Sequence, residues 1–423
     1  MTDRFGRFGI SLIALAALAV FAALRMGAPS AYAAVLTLFD IPRLPVTFSD
    51  LSAVAQAVHC AGQGVNVYVA NACMRGGRYN YSPLLLHFGG LGALASHLSV
   101  AGLGLALLFI AALAALPSPR SRVEFWLRAL ASVSVSVVFA LERANLDAVV
   151  FLLALGGILL MRRCIVARLA GYVLFCGAAA LKYYPVALLA LALREAPRRL
   201  ALLTALGLAA LAAFLARFGA GTLAALAVVP HGPPFGNCFG AIDIPLGLGI
   251  GIAAVHGAAA DALMRYQMPL PLHLVYVAMI LAALWRGWRN APLYQAGFTI
   301  IEDEARVPLI GGAALITACF FMAQNIDYRA IFLLLALPGA FALRRAGVER
   351  SGALGIAMVA LLWESFFRIT ALSVMKHLAG PVAGYSAAIM VWLGREVLWW
   401  WVVTQFLALL ICQARAALAR IRA

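Results

Sequence analysis

Leu91–Leu116 reads LGALASHLSVAGLGLALLFIAALAAL, without one Asp, Glu, Lys or Arg. A helix needs about 20 apolar residues to cross the roughly 30 Å hydrocarbon core of a bilayer, and this run exceeds that. Working outward, similar runs recur on both sides. Phe8–Leu24 precedes it; Phe125–Leu141, Leu146–Met161, Ala167–Leu181, Val186–Leu193 and Leu200–Ala216 follow. Later runs are Leu270–Trp285, Val307–Ala323, Ala330–Leu343, Gly352–Thr370 and Ala387–Cys412. Apolar types make up 65% of the 423 residues and charged types only 11%, against roughly 25% charged in a soluble chain. That excludes a set of soluble domains. Outer-membrane barrels are excluded as well, because their strands alternate in segments of about ten residues. The chain reads as an all-α polytopic membrane protein, one transmembrane domain over residues 1–423, with about twelve helices at about 20 residues per span.

The 32 basic and 16 acidic residues leave a net charge of +16, and all but two of the basic residues are arginine. They are scattered through short loops, with no basic run or interleaved aromatic platform, so nucleic acid is not an expected partner. Anionic lipid headgroups are. At the N-terminus, Arg4 and Arg7 precede the first run and Ala31-Tyr32-Ala33 follows it. That is also the outline of a secretory signal, but the run is read as a retained first helix. Arginine clusters mark inner loops: Arg120 and Arg122; Arg162, Arg163 and Arg168; Arg194, Arg198 and Arg199; Arg286 and Arg289; Arg344, Arg345 and Arg350; Arg415, Arg420 and Arg422. This register places both termini in the cytoplasm of a bacterium, the protein being multi-pass in the inner (plasma) membrane. It requires Ile242–Ala260 to dip in and return. No internal repeat stands out.

The remaining polar residues fall on the opposite side. Asp40 to Pro83 is the longest stretch read as non-helical, a first periplasmic loop carrying Asp50, Asn66, Tyr68, Asn80 and Tyr81. Further groups are Glu142 to Asp147, Lys182 to Pro185, His231 to Asn237, Asn325 to Arg329 and Arg368 to His377. Together they describe a polar cavity on the outer face. Its cations Arg143, Lys182, Arg329, Arg368 and Lys376 suit a phosphate or pyrophosphate, and His377 is a further phosphate or acceptor contact. Asp50 opens a mildly amphipathic stretch, Leu51 to His59, and is suited to take a proton from an attacking hydroxyl. The plainer alternative is that it caps the helix starting at Leu51. Cys60 and Cys73 share the first loop, where an oxidising compartment favours a disulfide; Cys238 is a competing partner on the same side. There is no P-loop, G-x-G-x-x-G, H-E-x-x-H or nucleophile elbow. The seven histidines show no zinc spacing, so neither metal nor cofactor is expected.

The order Phe48-Ser49-Asp50, Gly64-Val65-Asn66-Val67-Tyr68, Tyr79-Asn80-Tyr81-Ser82-Pro83, Glu142-Arg143-Ala144-Asn145-Leu146-Asp147-Ala148 and Ala180-Leu181-Lys182-Tyr183-Tyr184-Pro185 resembles the GT-C superfamily of membrane glycosyltransferases. Within it, the chain resembles glycosyltransferase family 87, the polyprenol-phosphate-mannose-dependent mannosyltransferase-like proteins. Ala144 stands where glycine is usual, Ser82 replaces the first proline of an aromatic–Pro–Pro pattern, and Val65-Asn66 replaces Gly-Asp. The resemblance implies a GT-C-type bundle and an inverting transferase. It would move a hexose, mannose-like, from a polyprenyl-phosphate sugar to a lipid or glycan acceptor on the periplasmic face. It implies Asp50 as general base, Arg143, Asn145 and Asp147 at the cavity rim, and Lys182 and Tyr183 facing the lipid phosphate. Two other classes use such a cavity. A lipid-linked-glycan transporter or flippase would show charges in mid-helix and a repeat, and an O-antigen-type polymerase a large outer loop late in the chain.

Overall fold

The computed structural model describes residues 3–229, 232–257 and 268–422. It is helical apart from one short antiparallel pair, Cys238–Phe239 against Asn325–Ile326. Among the described residues, six helices are long and apolar enough to cross a membrane. They are Phe8–Gly27, Arg122–Glu142, Pro197–Ala227, Leu270–Ile300, Asp303–Met322 and Pro381–Ile421, and two bent pairs raise the number to eight at most.

About twelve spans were expected at about 20 residues each, and the shortfall has a physical cause. The Leu91–Leu116 run is not one straight helix: Gly90–Ser96 meets Leu98–Leu113 at 107°. Arg350–Leu362 and Glu364–Ala379 likewise meet at 61°. Leu146–Leu160 and Ile165–Leu181 have 15 and 17 residues, roughly 22–26 Å at 1.5 Å per residue. Tyr184–Arg194 is a 3₁₀ segment. Hydropathy cannot tell an apolar run that faces lipid from one packed inside protein. Ile242–Ala260 contains the helix Asp243–Val255, 13 residues, while 258–260 and His231 lie outside the described residues. The Asp40–Pro83 loop is also more ordered than its sequence suggests, because it holds the helix Ser49–Gly62.

The chain divides into two compact units, each assembled from separated stretches. One comprises Met1–Arg43, Ala114–Val138 and His231–Cys412. At its centre Asp303–Met322 packs on Leu333–Arg345 so closely that a Cβ on Gly312 would lie 2.9 Å from the Ala336 nitrogen. Small residues at such crossings let apolar helices approach and gain van der Waals contact.

The other comprises Leu44–Leu113, Phe139–Pro230 and Gln413–Ala423. Leu146–Leu160 and Ile165–Leu181 form an antiparallel hairpin in which Gly157 gives way to the Phe175 ring. The start of the first helix and the end of the second therefore share one end of the hairpin. There Leu146 and Leu181 pack against the buried cluster Val54, Ala57, Cys60, Val67, Met74, Tyr79 and Leu85 of the first loop. Val54, Ala57 and Cys60 recur every third residue, the spacing that lines one face of a helix. A disulfide joins Cys60 to Cys73, with Cα atoms 6.0 Å apart, and Cys238 is a free, buried thiol.

Candidate active site around Asp50

Two left-handed turns aim the polar groups of the hairpin end. Phe48, at φ +50°, precedes the helix Ser49–Gly62, and Ala144, at φ +44°, precedes Asn145. Such φ values favour glycine, yet both positions carry side chains. Phe48 is held by its packing: its ring fills the space a Cβ on Gly102 would need. Asp50 lies in the first turn of its helix, but its side-chain oxygens face Asn145 and Arg143 rather than a backbone N–H of that turn. The capping role fails. The carboxylate instead turns to the hairpin, where Oδ2 accepts a short hydrogen bond from Asn145 Nδ2. Its Oδ1 stands 3.5 Å from an Arg143 guanidinium nitrogen, and its backbone N–H donates to the Arg143 carbonyl.

Asn145 is the true cap. Its Oδ1 accepts from the Asp147 backbone N–H at 2.8 Å at the start of Leu146–Leu160, satisfying one of the orphan donors of that first turn. The same oxygen takes a proton of Lys182 Nζ at 3.3 Å. Lys182 also donates to Asp147 Oδ2 at 2.8 Å, and the Tyr184 hydroxyl donates to Asp147 Oδ1. Asn145 and Asp147 are fully buried and Lys182 is 8% exposed. Arg143 additionally donates to Ser49 Oγ at 3.1 Å and lies 3.4 Å from Glu142. Burial pushes the Asp50 carboxyl above its ordinary value; the Arg143 guanidinium, the Asn145 amide and the Lys182 ammonium oppose that rise.

An aromatic ribbon adjoins these charges. The Tyr68, Tyr79 and Tyr81 rings follow one another at 6.0 and 5.9 Å, and Lys182 Nζ lies 5.4 Å from the Tyr81 ring centre. Half-buried Asn80 sits between Tyr79 and Tyr81 in sequence. Half-buried Tyr183 lies in the field of Tyr68 and Tyr79. Tyr184, not Tyr183, is the tyrosine bonded to the charged cluster.

Asp50, Arg143, Asn145, Asp147 and Lys182 thus come together within one unit. Arg329, Lys376 and His377 belong to the other. There Arg329 bonds Asn325 Oδ1, while Lys376 and His377 are exposed near the end of Glu364–Ala379. Both cations of the Asp50 cluster already face carboxylates: Lys182 is tied tightly to Asp147, Arg143 loosely to Asp50 and Glu142. Among the described residues, no three His, Cys, Asp or Glu side chains gather to hold a metal ion.

A second charged network, in the unit that holds Asp40, had not been anticipated. Arg368 donates to Asp40 Oδ2 at 2.7 Å and to Glu364 Oε1 at 3.0 Å. Arg395 donates to Glu364, Glu396 and the carbonyls of Gly236 and Pro234. The signal was present in the sequence: Arg395-Glu396 interrupts the apolar run Ala387–Cys412, and such residues are costly in a membrane unless paired.

Compared with known proteins, the chain matches no described family, no curated protein and no solved structure.

Proposed function

We propose that this protein is an inverting membrane glycosyltransferase. In this reading it moves a hexose, mannose-like, from a polyprenyl-phosphate carrier to a lipid or glycan acceptor at the outer face of a bacterial plasma membrane. One observation carries the reading. Three stretches far apart in sequence, around Asp50, Arg143 to Asp147 and Lys182 to Tyr184, are joined by one chain of hydrogen bonds that ends on the half-buried carboxylate of Asp50. Asp50 is the general base. It takes the acceptor's hydroxyl proton as the oxygen attacks the anomeric carbon, and the bond to the carrier phosphate breaks with its electron pair leaving on phosphate. A cation aimed at that developing charge lowers the barrier. Arg143 is assigned this part, because its 3.5 Å and 3.4 Å carboxylate contacts are looser than the 2.8 Å bond that ties Lys182 to Asp147.

The transporter reading gains one point from the mid-helix pair Arg395–Glu396, since charges there are its expected mark. One experiment separates the two. Purified protein in vesicles is given radiolabelled undecaprenyl-phosphate mannose and, separately, the glucose analogue, with a bacterial envelope lipid extract as acceptor. Transfer of label off the carrier is expected, with a loss of about 100-fold or more in Asp50→Asn and unchanged carrier binding. Label that changes leaflet but stays on its carrier would establish the transporter reading, and wild-type transfer by Asp50→Asn would remove Asp50 from the chemistry.

A further inference from the structure

The buried side chain with the most demanding set of bonds at this site is not an acid or a base but an amide. Asn145 Oδ1 faces two donors, the Asp147 backbone N–H at 2.8 Å and Lys182 Nζ at 3.3 Å. Neither donor could face an NH₂ group, so the orientation of the amide follows from its surroundings. Its NH₂ end must then point at Asp50, where it occupies Oδ2. Among the described residues, the other oxygen, Oδ1, meets only an Arg143 guanidinium nitrogen, at 3.5 Å, beyond hydrogen-bond length.

We propose that Asn145 is the positioning residue of the base. It holds one carboxylate oxygen of Asp50 and leaves Oδ1 as the atom that accepts the proton. This rests on the glycosyltransferase reading and adds to it which oxygen reacts and what aims it. In the step, the acceptor's O–H bond breaks and its proton passes to Oδ1. The freed pair forms the new bond to the anomeric carbon, and the carrier phosphate leaves with the old one. Because Oδ1 of Asn145 is shared between the cap of Leu146–Leu160 and the Lys182–Asp147 ion pair, the hairpin end and the base are set by a single side chain. The amide also donates to the ionised form of Asp50, which keeps the base deprotonated to lower pH than burial alone would allow.

The cap and the positioning role separate by substitution. Serine caps helices about as well as asparagine but is too short to carry an N–H to Asp50. Asn145→Ser is therefore expected to unfold within a few degrees of wild type and bind undecaprenyl-phosphate mannose normally. Its transfer should fall about ten- to a hundredfold, the scale set by a misplaced catalytic group. The acid limb of its rate–pH profile should move to higher pH, because the bond that favoured the carboxylate is gone. A merely structural residue would leave that limb in place. Asn145→Asp keeps shape and cap but turns the donor into an acceptor. It should lose more transfer and shift the limb further, and it carries the test if the serine variant does not fold. Wild-type rates and an unmoved limb in a folded variant would overturn the positioning role while Asp50→Asn stayed inactive. If Asp50→Asn itself transferred normally, the base assignment would fall instead.

Discussion

The two charged clusters are made of the same residue types and differ in where the fold puts them. Around Asp50 the charges sit at element ends: the first turn of Ser49–Gly62, the cap of Leu146–Leu160 and the end of Ile165–Leu181. Around Arg395, Glu364 opens its helix and Arg368 lies one turn on, while Arg395 and Glu396 sit in the interior of another helix. The second cluster is saturated about its guanidiniums, since Arg395 alone reaches two carboxylates and two backbone carbonyls. The first leaves Asp50 one oxygen without a short bond. Arginines bonded on every side fix a structure, whereas the carboxylate of Asp50 is held firmly through one oxygen alone. The second cluster also has more acids than it can pair: Asp40, Asp243, Asp327, Glu364 and Glu396 surround Arg368 and Arg395. Among the described residues, Asp243 Oδ2 and Glu396 Oε2 are buried with no hydrogen-bond donor.

If that contrast is real, Arg395→Gln should do the most damage. It strips the cation from Glu396 and one of the two arginines from Glu364, and breaking a buried pair costs about 3–5 kcal/mol. Little folded protein should accumulate, as read by size-exclusion chromatography in detergent. Lys182→Gln should also unfold more easily, by about 3 kcal/mol or more, because fully buried Asp147 loses its counter-charge. Normal stability with weakened donor binding would instead make Lys182 a phosphate ligand and erase the difference between the clusters. Replacing both Cys60 and Cys73 by serine should cost about 3 kcal/mol through loop closure, seen as a lower unfolding temperature that reductant no longer changes.

A further effect depends on pH. Burial pushes the Asp243 and Asp327 carboxyls up to about 7, with the Arg395 guanidinium opposing. The folded state then keeps protons that the unfolded chain, at the ordinary value of 3.8, has released. Stability should therefore fall as pH rises from about 4 to about 7 and level off above. Asp327→Asn should flatten that decline in unfolding temperature; an unchanged slope would assign it elsewhere. The smallest effect should come from Asp40→Asn. Asp40 is 34% exposed and ion-paired to Arg368, so its loss should cost about 1 kcal/mol or less and leave transfer within a few fold. A collapse of transfer in this variant would move the base from Asp50 to the cluster around Arg368 and Arg395.

Much of this was legible before any coordinates. The helical membrane class followed from the apolar runs, and the segment Arg143 to Asp147 announced a helix start with a polar face, as found at Asn145. The spans were overcounted because an apolar run bent at His97, or buried like Leu146–Leu160, looks the same in sequence as one facing lipid. Which of the adjacent Tyr183 and Tyr184 bonds Asp147 is not legible, because the phase of a 3₁₀ start after Lys182 cannot be read from two neighbouring tyrosines. Arg395–Glu396 stands inside the apolar run Ala387–Cys412, and a charged pair within a run does not name the distant residues that complete its network. Arg329, Lys376 and His377 share only an expected side of the membrane with Asp50, and sidedness read from a sequence carries no distance; they belong to the other unit.

The hairpin that carries Asn145 and Lys182 also works as a ruler. Inserting one residue into either helix turns everything beyond it by about 100° and slides it about 1.5 Å. Such an insertion between Leu146 and Leu160, or between Ile165 and Leu181, would swing Lys182 out of phase with Asn145 and press a larger side chain into the gap at Gly157. The turn Met161–Cys164 has no such phase to keep. Length changes compatible with this protein's chemistry should therefore collect in those few residues, while the two helices keep their number of residues even where their apolar side chains are freely exchanged.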